Sequence, residues 1–450
     1  MCKKQIPKII YLVIFILMMV VPGVGTFLME QETVGNEQPV DFSDINYVNA
    51  SDKIDSYMSM KFGFRNQMVN IYNQFHYSLF SESKQNLVIA GKDGWLFYSE
   101  ALKDYNGENV LNEYEISKIA KILSITERSV NLMGAQFVFV SAPNKMEIYS
   151  EYMPYYLLEN TEAGNYEKLF MALREYNVTN VDLKKVLKEK ADDSKVPIYH
   201  KLDSHWNNMG AAIAYESIMK STGFDYIEFS ILNYTIKPED NIDLHKMLFP
   251  QKDIMDEDVF FDREMEYYPI SNFRGADDLI IETVNESREN SVLVYRDSFG
   301  NSMYKFFAEN FGEAMFMRAV PYNLSNAKDK DLVVIEIVER NIGNLLNNPP
   351  VTEALLTTVK VDGIVDSTPN MTVTKQNGMF FINAQYEDIQ EDCVDVYFEI
   401  DGKIYEAYPV SPEGDACLYL SSEPKDSDAK VIFEKNGELL ASNTTEIMSK

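Results

Sequence analysis

The chain has 450 residues, of which 46 % are hydrophobic, and its formal net charge is −29. This length predicts two or three folding units, and the apolar content excludes a disordered chain. Such an acidic surface repels phosphate backbones, so we exclude nucleic acid as a partner. The three cysteines and four histidines do not follow zinc-site spacing, and no glycine-rich phosphate loop occurs. We therefore expect neither a metal nor a cofactor.

The N-terminal end is the most hydrophobic part of the chain. Residues 9–28 are apolar without a single charge, and they follow Lys3, Lys4 and Lys8. A helix of this length crosses the hydrocarbon core of a bilayer, which is about 30 Å thick. Because lysines stay on the cytoplasmic side, the rest of the chain should lie outside. We interpret 1–28 as a cytoplasmic stub with a single-pass anchor; a cleaved signal peptide is the alternative.

The next residues predict a tether and then a folded region that starts near residue 51. Residues 29–50 are polar and irregular, as expected for a connection between a membrane and a domain. Residues 54–80 carry apolar side chains at helical spacing, interrupted by Gly63. Two apolar stretches, 87–90 and 95–98, flank an Asp-Gly turn and predict a β-hairpin.

From residue 116 onward, apolar runs suited to buried strands alternate with stretches suited to helices. The predicted helices are 116–132, 166–176, 183–190, 209–219 and 301–311. The predicted strands are 136–141, 180–182, 291–295, 314–320 and 331–338, and 196–200 is a strand or a loop. This alternation predicts an α/β fold in which helices flank a parallel sheet.

Two segments depart from this alternation. Residues 225–285 are acidic, aromatic and irregular, and they predict an insertion or cap. After Pro349-Pro350, short alternating stretches predict a small β-sandwich at 349–450. The turns between them are marked by Asn377-Gly378, Asp401-Gly402 and Asn436-Gly437. Cys393 and Cys417 both lie in this segment. They either form one disulfide or remain two free thiols, and the sequence leaves both alternatives open.

Three side chains supply the groups needed for nucleophilic acyl transfer. Asp203 and His205 are two residues apart, so they share a side of the chain if it is extended. Ser298 lies at the predicted junction between a strand and a helix, where a serine hydroxyl is exposed near backbone N–H groups. Aspartate, histidine and serine form the triad of many hydrolases and acyltransferases.

Each of these residues also has an ordinary structural interpretation. An Asp-Ser pair before a helix is a common N-cap, and a lone histidine is more often structural than catalytic. Asp203 or Asn207 could cap the helix that follows, and Trp206 could belong to the core. On spacing alone, both interpretations remain open.

The motifs resemble those of a known family. Residues 199–211, Tyr-His-Lys-Leu-Asp-Ser-His-Trp-Asn-Asn-Met-Gly-Ala, resemble the signature of the DHHW proteins and of the AlgJ/AlgX-type alginate O-acetyltransferases. These belong to the SGNH-hydrolase-like superfamily. Asp-Ser-Phe-Gly at 297–300 resembles their nucleophile motif. Supporting similarity occurs at 63–66, 89–97 and 142–145, and the resemblance spans about 55–345.

This resemblance implies an SGNH-like catalytic domain at 51–348, with Ser298 as nucleophile, His205 as general base and Asp203 as its orienting carboxylate. Two positions depart from the family pattern. Arg296 stands where many members have glycine, which affects the expected oxyanion geometry. Ser204 occupies the middle of the DHHW signature, where its side chain should point away from the triad.

Other residues in the family-like segments could line the site or support it. They are Arg65, Asn144, Lys145, Trp206, Arg296, Asp297, Glu336 and Arg340. For most of them, surface or structural ion pairs are the default interpretation. An aromatic group, Tyr149, Tyr152, Tyr155, Tyr156 and Trp206, either stacks on sugar rings or supplies core area.

The resemblance implies an extracytoplasmic, membrane-anchored O-acetyltransferase that modifies a cell-surface or secreted polysaccharide. Acetyl-CoA is absent outside the membrane, so a polytopic acyltransferase of the MBOAT type is the implied acetyl donor. One alternative is an acetyl esterase with the same triad. Another is a non-catalytic glycan-binding or scaffold protein on a hydrolase fold.

Overall fold

The computed structural model describes residues 6–28, 50–80, 82–250, 254–390, 392–410, 415–424 and 428–449. The expected tether at 29–50 lies outside these residues except for Ala50, and Cys2, Lys3 and Lys4 lie outside them too. The boundaries given above for the domains stay predictions.

The helices of the described residues are numbered in chain order. They are α1 (Ile6–Leu28), α2 (Ala50–Lys61), α3 (Arg65–Phe80), α4 (Leu102–Tyr105), α5 (Glu113–Leu132), α6 (Lys145–Ile148), α7 (Asn165–Glu175), α8 (Leu183–Asp193), α9 (Asn208–Thr222), α10 (Asp243–Leu248) and α11 (Gly300–Asn310). The predicted helices match α2, α3, α5, α7, α8, α9 and α11 to within a few residues.

The strands are numbered in the same way. They are β1 (Val88–Ala90), β2 (Leu96–Tyr98), β3 (Gln136–Ala142), β4 (Asn180–Val181), β5 (Tyr234–Glu239), β6 (Asp256–Phe261), β7 (Tyr268–Pro269), β8 (Ile280–Val284), β9 (Ser291–Tyr295), β10 (Glu313–Met317), β11 (Leu332–Val338), β12 (Leu356–Thr357), β13 (Gly363–Ile364), β14 (Asn370–Gln376), β15 (Met379–Gln385), β16 (Val396–Ile400), β17 (Lys403–Pro409), β18 (Asp415–Leu420), β19 (Lys430–Lys435), β20 (Glu438–Ala441) and β21 (Ile447–Ser449). The predicted hairpin is confirmed, because β1 and β2 pair antiparallel.

The N-terminal helix α1 contains a stretch of 19 residues, Lys8–Thr26, with a mean hydropathy of 2.5. Its length and composition fit a single-pass anchor or a signal sequence. The corner between α2 and α3 contacts the end of α1, where the Gly63 N–H donates to Thr26 Oγ1 at 3.0 Å. A Cβ at position 63 would lie 2.4 Å from the Pro22 carbonyl oxygen, so only glycine permits this approach.

The central sheet has the strand order β4-β3-β11-β9-β10-β8-β7. Its first five strands are parallel, and β8 and β7 extend the sheet in antiparallel pairs. Every residue of β9 and β11 is buried, which explains why these strands are continuous apolar runs. The predicted parallel sheet is confirmed.

Helices cover both faces of this sheet. Phe137, Phe139, Leu293 and Ile335 point to the face covered by α5 and α7, whose core includes Ile119, Leu123 and Leu169. Val138, Val140, Val292 and Val334 point to the opposite face, which is covered by α8, α9 and α11. Alternation along each strand therefore builds two cores from one sheet.

Three neighbouring parallel strands end at the same edge of the sheet. Asn144 and Lys145 follow β3, Ser298 follows β9, and Arg340 follows β11. The carboxyl ends of parallel strands are where α/β folds place their sites. The topology thus brings together segments that are far apart in the sequence.

The prediction that 225–285 is irregular is wrong. Strands β5 and β6 form an antiparallel pair in which Tyr234 lies opposite Phe261. Strand β8 joins the central sheet beside β10, and α10 lies between β5 and β6 in the sequence. The side chains of β5 are exposed or half-buried, so this strand lacks the apolar pattern that marks the others.

The C-terminal segment is rich in strands, as predicted, but the two sheets expected of a sandwich are joined. Strand β17 pairs with β16 through Lys403–Ala407 and with β18 through Tyr408 and Pro409. The order β13-β20-β19-β16-β17-β18-β15-β14-β21 is continuous. Met371, Ile382, Phe398 and Val431, from both halves of this order, share one core. The sheet therefore curls onto itself rather than dividing in two.

Side chains from the two regions meet at α5. Lys121 Nζ lies 2.8 Å from Glu406 Oε1, and Arg128 Nη2 lies 2.7 Å from Glu406 Oε2.

Cys393 and Cys417 are buried free thiols that belong to two different hydrophobic clusters. Of the two alternatives open from the sequence, free thiols are observed.

Candidate active site

Ser298 lies on the tight turn between β9 and α11. The Asp297 carboxylate organises this turn, since Oδ1 accepts from the Phe299 N–H at 2.8 Å and Oδ2 from the Val338 N–H at 2.7 Å. A Cβ at position 300 would lie 2.6 Å from Arg296 Cβ, so Gly300 is needed for this close turn. The side chain that accepts these backbone N–H groups is Asp297, and the Ser298 hydroxyl stays available for other contacts.

The segment that carries Asp203 and His205 is a tight loop between α8 and α9. Tyr199 and Trp206 form an antiparallel bridge across it, and the His200 N–H donates to the His205 carbonyl at 3.1 Å. Asn207 then caps α9, accepting from the N–H groups of Met209 at 3.0 Å and Gly210 at 3.1 Å. The structural interpretation of Asn207 is correct, and it leaves Asp203 free for His205.

The structure brings Asp203, His205 and Ser298 together. His205 Nδ1 lies 2.6 Å from Asp203 Oδ1, and His205 Nε2 lies 2.8 Å from Ser298 Oγ. The His205 N–H also donates to Asp203 Oδ1 at 3.0 Å. Ser204 Oγ lies 3.5 Å from His205 Nδ1, at the limit of a hydrogen bond, so the expectation that this side chain points away from the triad is wrong. The three side chains form one hydrogen-bonded chain across 93 residues of sequence.

Burial and charge act in opposite directions on the aspartate and the histidine. Burial alone would raise the pKa of Asp203, but the charge of His205 and the hydrogen bond to it hold that pKa well below its usual range. Burial alone would lower the pKa of His205, but Asp203 raises it above its ordinary value. The carboxylate is thus ionised and favours positive charge on the imidazole.

Lys145 fixes the backbone of the Asp203 loop. Its buried ammonium donates to three carbonyl oxygens: Leu96 at 2.6 Å, Lys201 at 3.0 Å and Asp203 at 2.8 Å. Desolvation by burial lowers the pKa of Lys145 to about 7. This residue is neither a surface group nor half of a simple ion pair, because it ties the loop to the β1–β2 hairpin.

The 225–285 segment supplies further support to the same loop. The Asp243 N–H donates to Asp203 Oδ2 at 3.1 Å, and Asp256 Oδ2 accepts from the Leu202 N–H at 2.7 Å. Sequence reasoning missed both residues. The Asp243 contact uses a backbone N–H, which every residue except proline has, so no side-chain pattern could have identified it.

Trp206 connects the two halves of the triad. Its indole N–H donates to the Phe299 carbonyl at 2.9 Å, and the two rings meet edge to face at 5.0 Å. Trp206 is completely buried, so stacking on a sugar is excluded for this side chain. Of the aromatic group, Tyr149 is also buried, whereas Tyr155 and Tyr156 are exposed.

A pair of acids lies beneath the serine turn. Glu336 Oε2 accepts from the Asp297 N–H at 3.0 Å, and the Glu336 side chain is completely buried. Burial first, and then the neighbouring Asp297 carboxylate, raise the pKa of Glu336 well above its ordinary value. Burial and the neighbouring carboxylate thus favour the neutral form of Glu336, which supports the turn without meeting the solvent.

Arg296 does not face the triad. It is buried and donates to the carbonyls of Ala276 at 2.8 Å and Asp278 at 3.0 Å. Desolvation lowers its pKa to about 10, and Arg318 contributes to the shift. In this chain the residue before Asp297 is thus a structural link to the 276–278 segment.

Arg340 lies close to the triad. Its guanidinium carbon is 5.8 Å from the centre of the Phe299 ring and 5.2 Å from that of Tyr98. Its Nη1 donates to Asn144 Oδ1 at 3.2 Å, and its charge lowers the pKa of His205. Asn144 is itself buried, and its N–H donates to Glu339 Oε2 at 2.9 Å. Arg65 begins α3, and its suggested role in the site stays a prediction.

Within the described ranges, no group of three or more His, Cys, Asp or Glu side chains is arranged to hold a metal ion. The site contains the Ser298 hydroxyl, which is hydrogen-bonded to the His205 imidazole. The buried Asp203 carboxylate orients this imidazole. These parts support nucleophilic attack by oxygen on an acyl group.

Comparison with known proteins indicates which family the chain resembles. Residues 88–224 match a family model described as the SGNH hydrolase-like domain of acetyltransferase AlgX. The matched range includes Asp203 and His205 and ends before Ser298. The chain is also 24 % identical over 152 residues to the probable alginate O-acetylase AlgJ of Pseudomonas putida, covering 34 % of this chain and 38 % of the relative.

A second relative is the probable alginate O-acetylase AlgJ of Pseudomonas aeruginosa, with 25 % identity over 165 residues, 36 % of this chain and 39 % of the relative. The chain thus spans about two fifths of the length of these curated relatives. A DHHW family protein from Eubacterium siraeum has a similar structure, with a TM-score of 0.43 and 15 % identity over 59 % of this chain and 96 % of that one. The resemblance indicated by the motifs is confirmed: over residues 88–224 this chain is similar to the SGNH-hydrolase-like domain of the AlgX acetyltransferases.

Proposed function

We propose that this protein is an extracytoplasmic, membrane-anchored O-acetyltransferase that modifies a cell-surface or secreted polysaccharide. The observation that carries the proposal is the hydrogen-bonded chain from Asp203 through His205 to Ser298. The named activity of the AlgJ relatives supports acetyl as the transferred group. Their names mention alginate, and for this chain we propose only the wider class of polysaccharides.

In the first half-reaction, Ser298 Oγ attacks the carbonyl carbon of the acetyl donor. His205 Nε2 takes the hydroxyl proton as the Oγ–C bond forms, and Asp203 stabilises the imidazolium. The tetrahedral intermediate then expels the donor's oxygen, which leaves with the proton from His205. The product is acetyl-Ser298 with a neutral imidazole.

The negative oxygen of this intermediate needs hydrogen-bond donors. The Ser298 N–H has no protein acceptor within the described part of the chain, and it lies at the start of α11, where the helix dipole favours negative charge. The positively charged guanidinium of Arg340 lies 5.8 Å from the centre of the ring of Phe299, the residue that follows Ser298. We assign the oxyanion to the Ser298 N–H, with Arg340 supplying positive potential nearby.

In the second half-reaction, a sugar hydroxyl gives its proton to His205 and attacks acetyl-Ser298. The second tetrahedral intermediate collapses as the Ser298–acetyl bond breaks, and His205 returns the proton to Ser298 Oγ. Acetylated polysaccharide leaves, and the enzyme is restored. If water takes the place of the sugar, the same residues produce an esterase.

The acetyl donor must come from the other side of the membrane. We propose a polytopic membrane acyltransferase of the MBOAT type as the partner that delivers acetyl groups. The apolar helix α1 would hold the catalytic region on the side where the polysaccharide is exposed. No other cofactor is needed, because the triad supplies both the nucleophile and the proton transfers.

The experiment is acetyl transfer by the purified protein from a chromogenic acetyl ester to glycan fragments. We expect acetylated glycan from the natural protein and none from Ser298→Ala. The matched control is Ser302→Ala, which removes a hydroxyl from the same helix and should keep activity. Release of acetate to water without acetylated glycan would favour the esterase. Unchanged transfer by Ser298→Ala would contradict the proposal.

A further inference from the structure

Helix α3 exposes an apolar face that the described residues leave uncovered. Its side chains are between 47 % and 67 % exposed and recur at helical spacing on one side: Met68, Ile71, Tyr72, Phe75 and Leu79. Globular proteins rarely expose so many large apolar side chains together, and such patches mark interaction sites.

The opposite face of α3 is fixed to the body of the protein. Asn73 is buried, and its side-chain amide donates to the Leu248 carbonyl at 2.7 Å. The Tyr77 ring meets the Phe249 ring edge to face at 5.5 Å. The helix is therefore held with its apolar face turned away from the core.

The start of α3 lies next to the end of the hydrophobic helix α1. The α2–α3 corner at Gly63 contacts Thr26 and Pro22, which belong to the last turns of α1. If α1 crosses the bilayer, this contact places the start of α3 at the level where α1 leaves the hydrocarbon core. The apolar face begins at Met68, in the first turn of α3, and therefore starts close to that level.

Charge sets this segment apart from the rest of the chain. From residue 56 to residue 81 there is no aspartate or glutamate, although the whole chain has 70 of them. The only formal charges in this range are positive, on Lys61 and Arg65. An anionic lipid surface would repel the acidic remainder of the protein and tolerate this segment.

We propose that α3 lies in the lipid–water interface of the outer leaflet, with its apolar face in contact with the acyl chains. The proposal rests on the proposed retention of α1 as a membrane anchor. Tyrosine and phenylalanine suit this depth, where an amphipathic ring meets both environments.

The consequence for the active site is one of placement. Helix α3 holds α10 through Asn73, and the first residue of α10, Asp243, donates its N–H to Asp203. The Asp203–His205 loop is therefore connected to α3, the helix at the proposed membrane surface, through α10 alone. An acetyl group delivered through the membrane would meet Ser298 without a long path through water.

The test uses the full chain in nanodiscs of phosphatidylcholine and phosphatidylglycerol, with Phe75→Trp as a fluorescent probe. The two native tryptophans, Trp95 and Trp206, are buried and should be shielded from both quenchers. The emission of the natural protein is therefore measured as the background and subtracted. Brominated phosphatidylcholine should reduce the added emission roughly twofold, and aqueous iodide should have little effect. The matched control is Tyr155→Trp, at a loop residue that is 85 % exposed, where iodide should quench and brominated lipid should not.

Quenching of Phe75→Trp by iodide alone would place α3 in water and overturn the proposal. Protection from both quenchers would mean that protein covers the face, either a second copy or the segment 29–49, and would overturn it too. The measurement needs no acetyl transfer and can be repeated in a Ser298→Ala background. Failure of the proposed function and failure of this inference are therefore distinguishable.

Discussion

The two segments that deliver the triad are held in different ways. The Ser298 turn is held by the carboxylate of its own Asp297, which accepts from Phe299 and from Val338 at the end of β11, and by the close packing of Gly300 on Arg296. The Asp203–His205 loop is instead held by donors that lie outside it, namely the Lys145 ammonium and the Asp243 N–H. The turn of the proposed nucleophile thus depends on an acceptor of its own and on close packing, whereas the loop of the proposed base depends on donors from other parts of the fold.

This difference predicts how each segment fails. Loss of a long-range donor should loosen the base and affect its proton affinity, while the serine turn keeps its shape. A steric change at the turn should displace the nucleophile, while the Asp203–His205 pair stays intact. The following substitutions separate these outcomes.

The largest effect is expected for Asp203→Asn, which should lower kcat by about 10³–10⁴-fold because the orienting carboxylate is lost. The pH profile should change as well. His205 must be neutral to accept a proton, so activity rises with pH through its pKa, which Asp203 holds above the ordinary value. In the variant both contributions of Asp203 are gone, and burial, the largest cause, lowers the pKa of His205 against only the smaller contribution of Asp297. The rise in activity should therefore move to lower pH.

The matched control for this profile is Asp243→Asn, since that residue supports Asp203 through its backbone N–H. We expect its pH profile to stay close to that of the natural protein. A profile for Asp203→Asn that moves to higher pH would contradict the assignment of Asp203 as the partner of His205.

A smaller but still large effect is expected for Lys145→Met. This change keeps the length of the side chain and removes the donor to three carbonyl oxygens. Each buried acceptor left without a donor costs about 1–3 kcal/mol, and a misplaced base can cost about a hundredfold in rate. The melting temperature and kcat should both fall, and Lys145→Arg should recover part of the activity. Full activity of the methionine variant would show that the Asp203–His205 loop keeps its conformation without the Lys145 ammonium.

Gly300→Ala tests the serine turn. The new Cβ would lie 2.6 Å from Arg296 Cβ, and overpacking of this kind costs about 1–3 kcal/mol. We expect a loss of kcat of about tenfold, with the pH dependence unchanged because the histidine pair is untouched. Gly343→Ala is the control, since its Cβ would meet its nearest atoms at 3.8 Å, an ordinary contact. An equal loss in both variants would contradict the steric explanation.

The smallest effect is expected for Glu336→Gln, which resembles the protonated acid. The pKa of Glu336 is raised in the folded protein, so folding binds its proton more tightly. The stability that Glu336 contributes is therefore present below its unfolded pKa and is lost as pH rises, by about 1.4 kcal/mol for each unit of pKa difference. The melting temperature of the natural protein should fall relative to the glutamine variant as the pH rises above the ordinary pKa of a glutamate, about 4.3. A constant difference would mean that Glu336 is ionised when folded.

Sequence patterns predicted those parts of the fold that depend on local chemistry. Asn377-Gly378, Asp401-Gly402 and Asn436-Gly437 all adopt positive φ at both residues, as two-residue hairpin turns require. The buried strands followed from their continuous apolar runs. The pairing of Asp203 with His205 and Ser298 was indicated by a family resemblance, and spacing alone left it open.

The remaining features depend on partners that no local pattern identifies. Strand β5 is mostly exposed, so its alternation is weak, and it is recognised only by its pairing with β6. The role of Lys145 lies in three backbone carbonyls from two other segments. Trp206 was a candidate for sugar contact because aromatic rings suit both a core and a ligand; only its burial decided between them.

The hydrogen bond from Trp206 to the Phe299 carbonyl has a consequence for the catalytic cycle. When Ser298 carries an acetyl group, its hydroxyl proton is gone, and the direct bond from His205 to the serine is lost. The indole contact involves neither reacting atom, so we expect it to persist in the proposed acyl-enzyme. This contact would keep His205 close to the acetyl-Ser298 ester until the sugar hydroxyl binds.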